Sequence, residues 1–206
     1  MEKNVIITIS RQFGSNGREI ARKLAEYLDI SYYNKEILER IAVNMGVCAD
    51  FFKDQNQDAN GLFTIESKGL LGLRNITELS VNSQIYDMAS DFIQKISQRE
   101  DAVIVGRCAD YALEERDDVL SVFIHADMDK RIAAVMARDH INSRLKAKRK
   151  IEEIDEKRST FRKEFTGEEW GQSKYYNLSI DTTHLSYQQA ADLILYYKKL
   201  AEEAQK

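Results

Sequence analysis

The chain of 206 residues contains no proline. Its turns therefore rest on Gly, Asn and Asp, residues that tolerate tight or left-handed backbone. Its two cysteines, Cys48 and Cys108, are far apart and form no CxxC pair. That excludes a disulfide scaffold and leaves free thiols of a reducing compartment. Three histidines, His125, His140 and His184, share no metal-ligand spacing. No apolar run approaches the roughly 18 residues that a membrane span needs. The start has no secretory pattern, because strand-like residues begin at Val5. Neither sign of charge dominates, the net being −4, so nothing global points to nucleic acid. These absences lead to an expectation of a cytoplasmic protein with neither a membrane nor a nucleic-acid partner. A homodimer is compatible with the composition.

What is present begins at the N-terminus. The apolar run Val5-Ile6-Ile7-Thr8-Ile9 feeds a polar turn, Ser10 to Arg18, and the turn opens a helical pattern with Ile20, Ala21, Leu24, Ala25 and Leu28 on one face. Strand, glycine turn and helix is an arrangement that cradles phosphate. Free amides at the helix N-terminus point at the anion, and the aligned peptide dipoles add roughly half a positive charge there. The pattern G-x-x-x-x-G-K-[ST] is incomplete here. Gln12 takes the place of the first glycine, Arg18 that of the lysine and Glu19 that of the hydroxyl residue. Arg18 can hold phosphate as a fork. Glu19 can reach Mg²⁺ only as a carboxylate, and Ser15 is the other local oxygen. The competing reading is a plain strand-to-helix turn in which Gly14 and Gly17 supply positive φ.

Further strand-like runs are Ser31-Tyr32-Tyr33, Ala102–Val105, Val119–Ile124 and Leu178-Ser179-Ile180. Helical patterns fall at Gly17–Leu28, Lys35–Asn44, Ile76–Gln98, Met128–Leu145 and Tyr187–Glu203. Strands alternating with helices imply right-handed βαβ units and a parallel sheet. Ligands bind such sheets beyond the C-terminal strand ends, where both the first turn and Gly106-Arg107 lie. Residues 50–72 break the pattern, being rich in Asn, Gln, Asp and Gly, and read as a mobile excursion. Between Arg144 and Glu164, nine basic and five acidic residues crowd 21 positions. Such a run makes either a solvated helix face laced with i,i+4 pairs or a lid that swings arginines onto a phosphoryl group.

Taken in order, the glycine turn, Asn34 to Arg40, Gly106-Arg107, the run Phe123 to Asp127, the charged segment and Asp181-Thr182-Thr183 resemble the nucleoside monophosphate kinases, most closely the cytidylate kinase-like family. The resemblance implies one domain over residues 1–206. Its fold would be a P-loop NTPase-like three-layer α/β/α sandwich with a five-stranded parallel sheet and a helical lid near residues 144–165. It implies ATP and Mg²⁺ as cofactors and a nucleotide as small-molecule substrate, most simply CMP or dCMP, with a nucleotide-binding regulator lacking turnover as the alternative. Gly14, Ser15, Asn16, Gly17, Arg18 and Glu19 would hold the donor phosphates, with Ser15 or Glu19 on the metal. Arg40, Arg107 and Arg158 would grip the acceptor phosphate and Asp155 its sugar. Arg18, with Arg144 or Arg149 and also Arg138, would stabilise the transferred group. The family's G-R-D reads Gly106-Arg107-Cys108 here, with Asp110 nearby as a substitute.

Overall fold

The computed structural model describes residues 5–34 and 74–204. Five strands form one sheet in the order β2-β3-β1-β4-β5, and every pairing is parallel. They are β1 (Ile6–Arg11), β2 (Ser31–Tyr33), β3 (Ala102–Val105), β4 (Val119–His125) and β5 (Leu178–Asp181). Every residue of β1 and β3 is buried. Their runs of Ile and Val suit a central parallel strand covered on both faces.

The period of two along β1 sorts its side chains between the two helical layers. Ile7 and Ile9, with Val103, Val105, Val122 and Ile124, pack under α1 (Gly17–Leu28) and the C-terminal helix α6 (Tyr187–Ala204). Ile6, with Ala102, Ile104 and Tyr33, packs on the opposite side under α2 (Arg74–Ser97) and the short α3 (Ala109–Ala112). The outcome is the three-layer α/β/α sandwich that the sequence implied. Each fully buried aliphatic chain contributes about 1.5–3 kcal/mol by leaving water. β1 outruns β3 at its C-terminal end, Ile9 pairing with Val105 while Arg11 still pairs with Ile124. The turn after β1 therefore opens into the crevice where the sheet switches direction.

A third apolar cluster lies outside the sandwich. Phe13, Ile132, Val135, Ala147, Ile151 and Ile154 join the turn to two helices, α4 (Met128–Arg138) and α5 (Arg144–Thr166). The single helix expected over Met128–Leu145 is thus two. His140 adopts φ 53°, the Asp139 amide closes α4 on Val135 O, and the Ser143 side chain caps α5 by accepting from the Lys146 amide. The charged segment is one long helix, not a wholly solvated one. Ala147, Ile151, Ile154, Arg158 and Arg162 form a buried stripe spaced by three and four residues, while Lys148–Glu152 and Glu153–Lys157 pair on the exposed side. The helix expected at Lys35–Asn44 and the excursion at 50–72 lie outside the described residues. No helix among those described is long and apolar enough to cross a membrane.

Candidate phosphate-binding site

The turn after β1 is held by its own backbone. The Gln12 amide donates to Ile124 O at 2.9 Å, extending the β1–β4 ladder by one step. Gly14 takes φ 80° and Asn16 φ 62°, so the chain folds back on itself before α1 starts. Gly14 also has no room for a side chain, because a Cβ would sit 2.8 Å from Arg131 O. Gly17 does not adopt positive φ, contrary to expectation. It is required instead because a Cβ there would lie 2.6 Å from Arg11 Cβ. Thr182, the residue after β5, ties the turn to the sheet by donating to Ser15 O (3.2 Å) and His125 O (3.0 Å). Among the described residues, the amides of Gly14 and of Asn16 to Glu19 donate no hydrogen bond. They line the N-terminus of a 12-residue helix, an arrangement with the geometry to receive an anion.

Around this turn the protein assembles arginines. Arg11 ends β1 on the same face as Ile7 and Ile9 and is 8% exposed. Its guanidinium reaches Gly106 at the end of β3, where a Cβ would lie 2.5 Å from Nη1. Burial, then the neighbouring charges of Arg158 and Arg18, hold its pKa well below the ordinary value. Arg158 arrives from α5, also 8% exposed, and donates from Nη1 to Arg11 O at 2.8 Å. Its pKa falls to about 9, through burial, with Arg18, Arg138 and Arg131 adding repulsion that Asp155 only partly offsets. Arg107 follows β3, and burial lowers it to about 10. Gly106, Arg107 and Cys108 take φ 80°, 60° and 49° in succession. Two non-glycine residues in that region cost about 1–3 kcal/mol each, and such strain concentrates where a ligand is held. Phe13 carries Arg138 over its ring at 4.5 Å, with Arg158 at 5.7 Å.

The residues singled out from the sequence are dispersed in instructive ways. Gly14, Asn16, Gly17, Arg18 and Glu19 share the turn and the first turn of α1. Ser15 is there too, but it is 1% exposed and its hydroxyl donates inward to Gln12 O (2.8 Å) and Ile124 O (3.2 Å). It is therefore committed to the fold rather than offered to a metal, which leaves Glu19 of the two metal candidates that the sequence named. Arg158 and Arg107 border the turn. Asp155 is not left open for a sugar. One oxygen accepts the Phe13 amide at 2.7 Å and the other pairs with Arg131, itself bonded to Phe13 O at 3.3 Å. Arg144 stands apart, exposed and paired with Asp129. Arg149 is exposed on the side of α5 away from the buried stripe. Arg40 lies outside the described residues.

Asp110 does not take the place of the missing G-R-D aspartate at the mouth of the turn. It is buried against Arg162 at 2.5 Å, and Arg162 also meets Glu168 at 2.5 Å. Burial pushes the adjacent Cys108 thiol up to about 12, which makes it inert. Sequence reasoning passed over Arg11, Phe13, Arg131 and Arg162. Two of them left a signal: Arg11 is a charge in a core-facing slot of a period-two strand, and Arg162 continues an apolar helical stripe.

Among described residues no three His, Cys, Asp or Glu gather as a metal site. The sequence profile of the cytidylate kinase-like family matches residues 6–184. No curated protein matches the chain. Among solved structures, an uncharacterized protein from Eubacterium ventriosum ATCC 27560 is 28% identical, with a TM-score of 0.72 over 95% of this chain and 99% of that one. A gluconokinase from Sinorhizobium meliloti 1021 gives a TM-score of 0.53 at 12% identity, over 100% of this chain and 98% of that one. Shikimate kinase from Bacteroides thetaiotaomicron gives 0.52 at 11% identity, over 98% and 99%. At those two identities the likeness is one of fold, and the fold is that of the P-loop kinases.

Proposed function

The chain belongs to the cytidylate kinase-like family, and on that premise we propose that it is a phosphotransferase moving the γ-phosphate of ATP to a small acceptor, CMP or dCMP first among the candidates. The observation that carries this reading is the open-amide turn with two buried arginines beside it, Arg11 and Arg158, which among the described residues have only Asp155 within reach, at 3.5 Å from Arg158. Phosphoryl transfer asks a protein mainly to align two substrates and to neutralise charge on the moving group. The amides of Gly14 and Asn16–Glu19, with the Arg18 side chain, suit the donor's phosphates. The chain fits Mg²⁺ only as an ion carried largely by those phosphates and by water, with Glu19 the carboxylate on the first turn of α1 that could join them; Mg²⁺ commonly binds kinases in that manner. When bound it neutralises the developing charge. Arg107 and Arg158 suit the acceptor's anionic group, and Arg138, stacked on Phe13 of the turn, is better placed than Arg144 or Arg149 to serve the transferred group.

A coupled assay for ADP formation, with ATP, Mg²⁺ and a panel of nucleoside monophosphates, tests the reading. Turnover above ATP hydrolysis alone, greatest with CMP or dCMP, is the expected result. Turnover with another acceptor only would move the substrate and keep the chemistry. Tight nucleotide binding with no ADP formed overturns the enzyme in favour of a nucleotide-binding regulator, a role that the inward-turned Ser15 hydroxyl favours.

A further inference from the structure

The C-terminal helix α6 carries two apolar stripes. Ala190, Ala191 and Ile194 are buried against the sheet. Leu193, Tyr196 and Leu200, spaced by three and four residues, are 46%, 61% and 45% exposed. At 3.6 residues per turn this second stripe lies about 130° round the helix from the first. A surface helix needs one such stripe for its own core, and its other sides are ordinarily polar. Of the six large hydrophobic residues most exposed among those described, four stand on α6, Tyr187 being the fourth.

The second stripe lies beside an open strand edge. α6 follows β5 and packs beside α1. It returns antiparallel to the strands, and a right-handed helix so placed turns Leu193 and Leu200 away from α1, toward the side of β5. β5 pairs with β4 alone. The Thr182 amide donates to His125 O, so Ile180 and Thr182 face β4 while the backbone groups of Ser179 and Asp181 face outward. An edge of that kind is a template for another strand.

We propose that a second copy of the chain docks on this face, its α6 antiparallel to the first about a two-fold axis between Leu193 and Tyr196. Charge selects that occupant and that direction. Asp192 and Lys199, seven residues apart, flank the stripe on its solvent side. In the antiparallel register Leu193 meets the second copy's Tyr196 and Asp192 meets the second copy's Lys199, each contact occurring twice. A parallel register sets Asp192 against Tyr197 and Lys199 against Ala204, which leaves both charges unmatched. Among the described residues of one chain, Asp192 accepts from Gln188 and Lys199 lies 3.9 Å from Glu203. Both contacts are exposed and weak, so neither side chain is committed to its own helix. The open edges of the two β5 strands then lie side by side beneath the paired helices. Three side chains and a four-residue edge fall short of the roughly 800 Å² per partner of a standard interface. The dimer is therefore reversible, with a dissociation constant in the micromolar range.

Sedimentation velocity of the intact chain over a range of concentrations tests the dimer, and it needs no substrate. The wild-type protein should sediment as one chain of 23.8 kDa when dilute and approach twice that mass as its concentration rises through the micromolar range. Tyr196→Glu, at an exposed position, should hold the mass at one chain. Leu193→Gln combined with Leu200→Gln serves the same end if the first variant fails to fold. Lys199→Glu sets like charges against each other at both ends of the seam and should weaken the dimer about tenfold. Asp192→Lys combined with Lys199→Glu exchanges the signs and should return the affinity to within about twofold of wild type. A foreign partner would give no such rescue. A wild-type chain that keeps the one-chain mass up to about 1 mM, where a micromolar dimer is nearly complete, overturns the proposal. So does a dimer indifferent to Tyr196→Glu or to Lys199→Glu, or a Lys199→Glu defect that the exchange fails to repair.

Discussion

Arg158 and Arg162 stand one turn apart on the buried stripe of α5, and both leave Nε without a hydrogen bond among the described residues. Arg162 lies between Asp110 and Glu168, two carboxylates on either side of one fork. Burial works against its charge, but Asp110 and its other neighbours outweigh that and raise its pKa. Arg158 has one carboxylate in reach among the described residues, Asp155 at 3.5 Å, and that group already serves Arg131 and the Phe13 amide. Its pKa goes down, not up. The same residue type, on the same face of one helix and at similar depth, is thus satisfied internally at one position and left in need at the next. A satisfied buried ion pair belongs to the architecture. A buried cation in deficit, beside a turn of open amides, implies something negative that arrives from outside.

The largest effect should break this contrast directly. Arg162→Met leaves Asp110 and Glu168 facing each other without a cation, and stranding a buried charge costs about 3–5 kcal/mol. Arg158→Met removes a charge that the fold does not balance, so its cost should be small or negative, set mainly by the lost bond to Arg11 O, about 0.5–1.5 kcal/mol. Urea unfolding of the two variants measures the difference. The binding order should be reversed, with Arg158→Met losing phosphate affinity and Arg162→Met keeping it in whatever fraction stays folded. Equal destabilisation by both would mean that Arg158 is as structural as its neighbour.

Gly17→Ala comes next and sharpens the comparison from the side of the turn. The new methyl meets the Arg11 stem at 2.6 Å, an overpacking that costs about 1–3 kcal/mol. Gly167, with φ 72° and open space within 4 Å of where a Cβ would stand, gives a reference. Gly167→Ala bears only the left-handed backbone cost, about 1 kcal/mol. If denaturant midpoints show Gly167→Ala to be the more damaging, Arg11 is not wedged as described.

A smaller effect concerns the joint between α4 and α5. Asp139 accepts from Arg138 at 2.6 Å and pairs with Lys150 at 2.9 Å. Burial alone would raise its pKa, but the bonds from Arg138 and Lys150 win and lower it. A carboxyl with a depressed folded pKa contributes stability that is complete above its unfolded pKa, roughly 4, and is lost as pH falls through the folded value. Asp139→Asn should therefore be less stable than wild type near neutrality by about 1 kcal/mol, with the gap closing in acid below roughly pH 4. A gap that widens in acid would contradict the sign.

The sheet was readable because β1, β3 and β4 are dense in Ile and Val and each is followed by a turn residue or a helix pattern. The α/β/α layering follows from that alternation. The break at Asp139–Ser143 was hidden because helix periodicity continues through Met136 and Ile141 on both sides, and with no proline to mark it only Ser143 signalled a cap. The buried side of α5 was missed because charge density masked a stripe of three aliphatic chains continued by two arginines. The turn itself was legible from Gly14 and Gly17, though Gly17 serves a packing need that only the position of Arg11 reveals. Long-range partners such as Asp155 with Phe13, 142 residues apart, have no local signature. Asp155 and Arg158 do meet, at 3.5 Å, but nothing in their spacing could say that Asp155 faces the turn.

The smallest expected effect tests whether α5 works in the position it occupies here, packed on Phe13 and α4. Arg149 is exposed, while Arg138 lies on the Phe13 ring at 4.5 Å. If α5 acts in the position described, Arg149→Ala changes stability by no more than about 0.5 kcal/mol, as exposed substitutions do, and leaves kcat within about twofold. Arg138→Ala should then lower kcat by at least about tenfold, since loss of a group that meets the transition state falls on kcat and kcat/KM alike. Steady-state kinetics with the acceptor identified by the panel decide it. A large loss of kcat in Arg149→Ala with little in Arg138→Ala would mean that α5 turns during the catalytic cycle, bringing its outer face to the amide nest. The aliphatic stripe at Ala147, Ile151 and Ile154 opposes that rotation, because it would carry three buried side chains into water at about 0.8 kcal/mol for each methylene exposed.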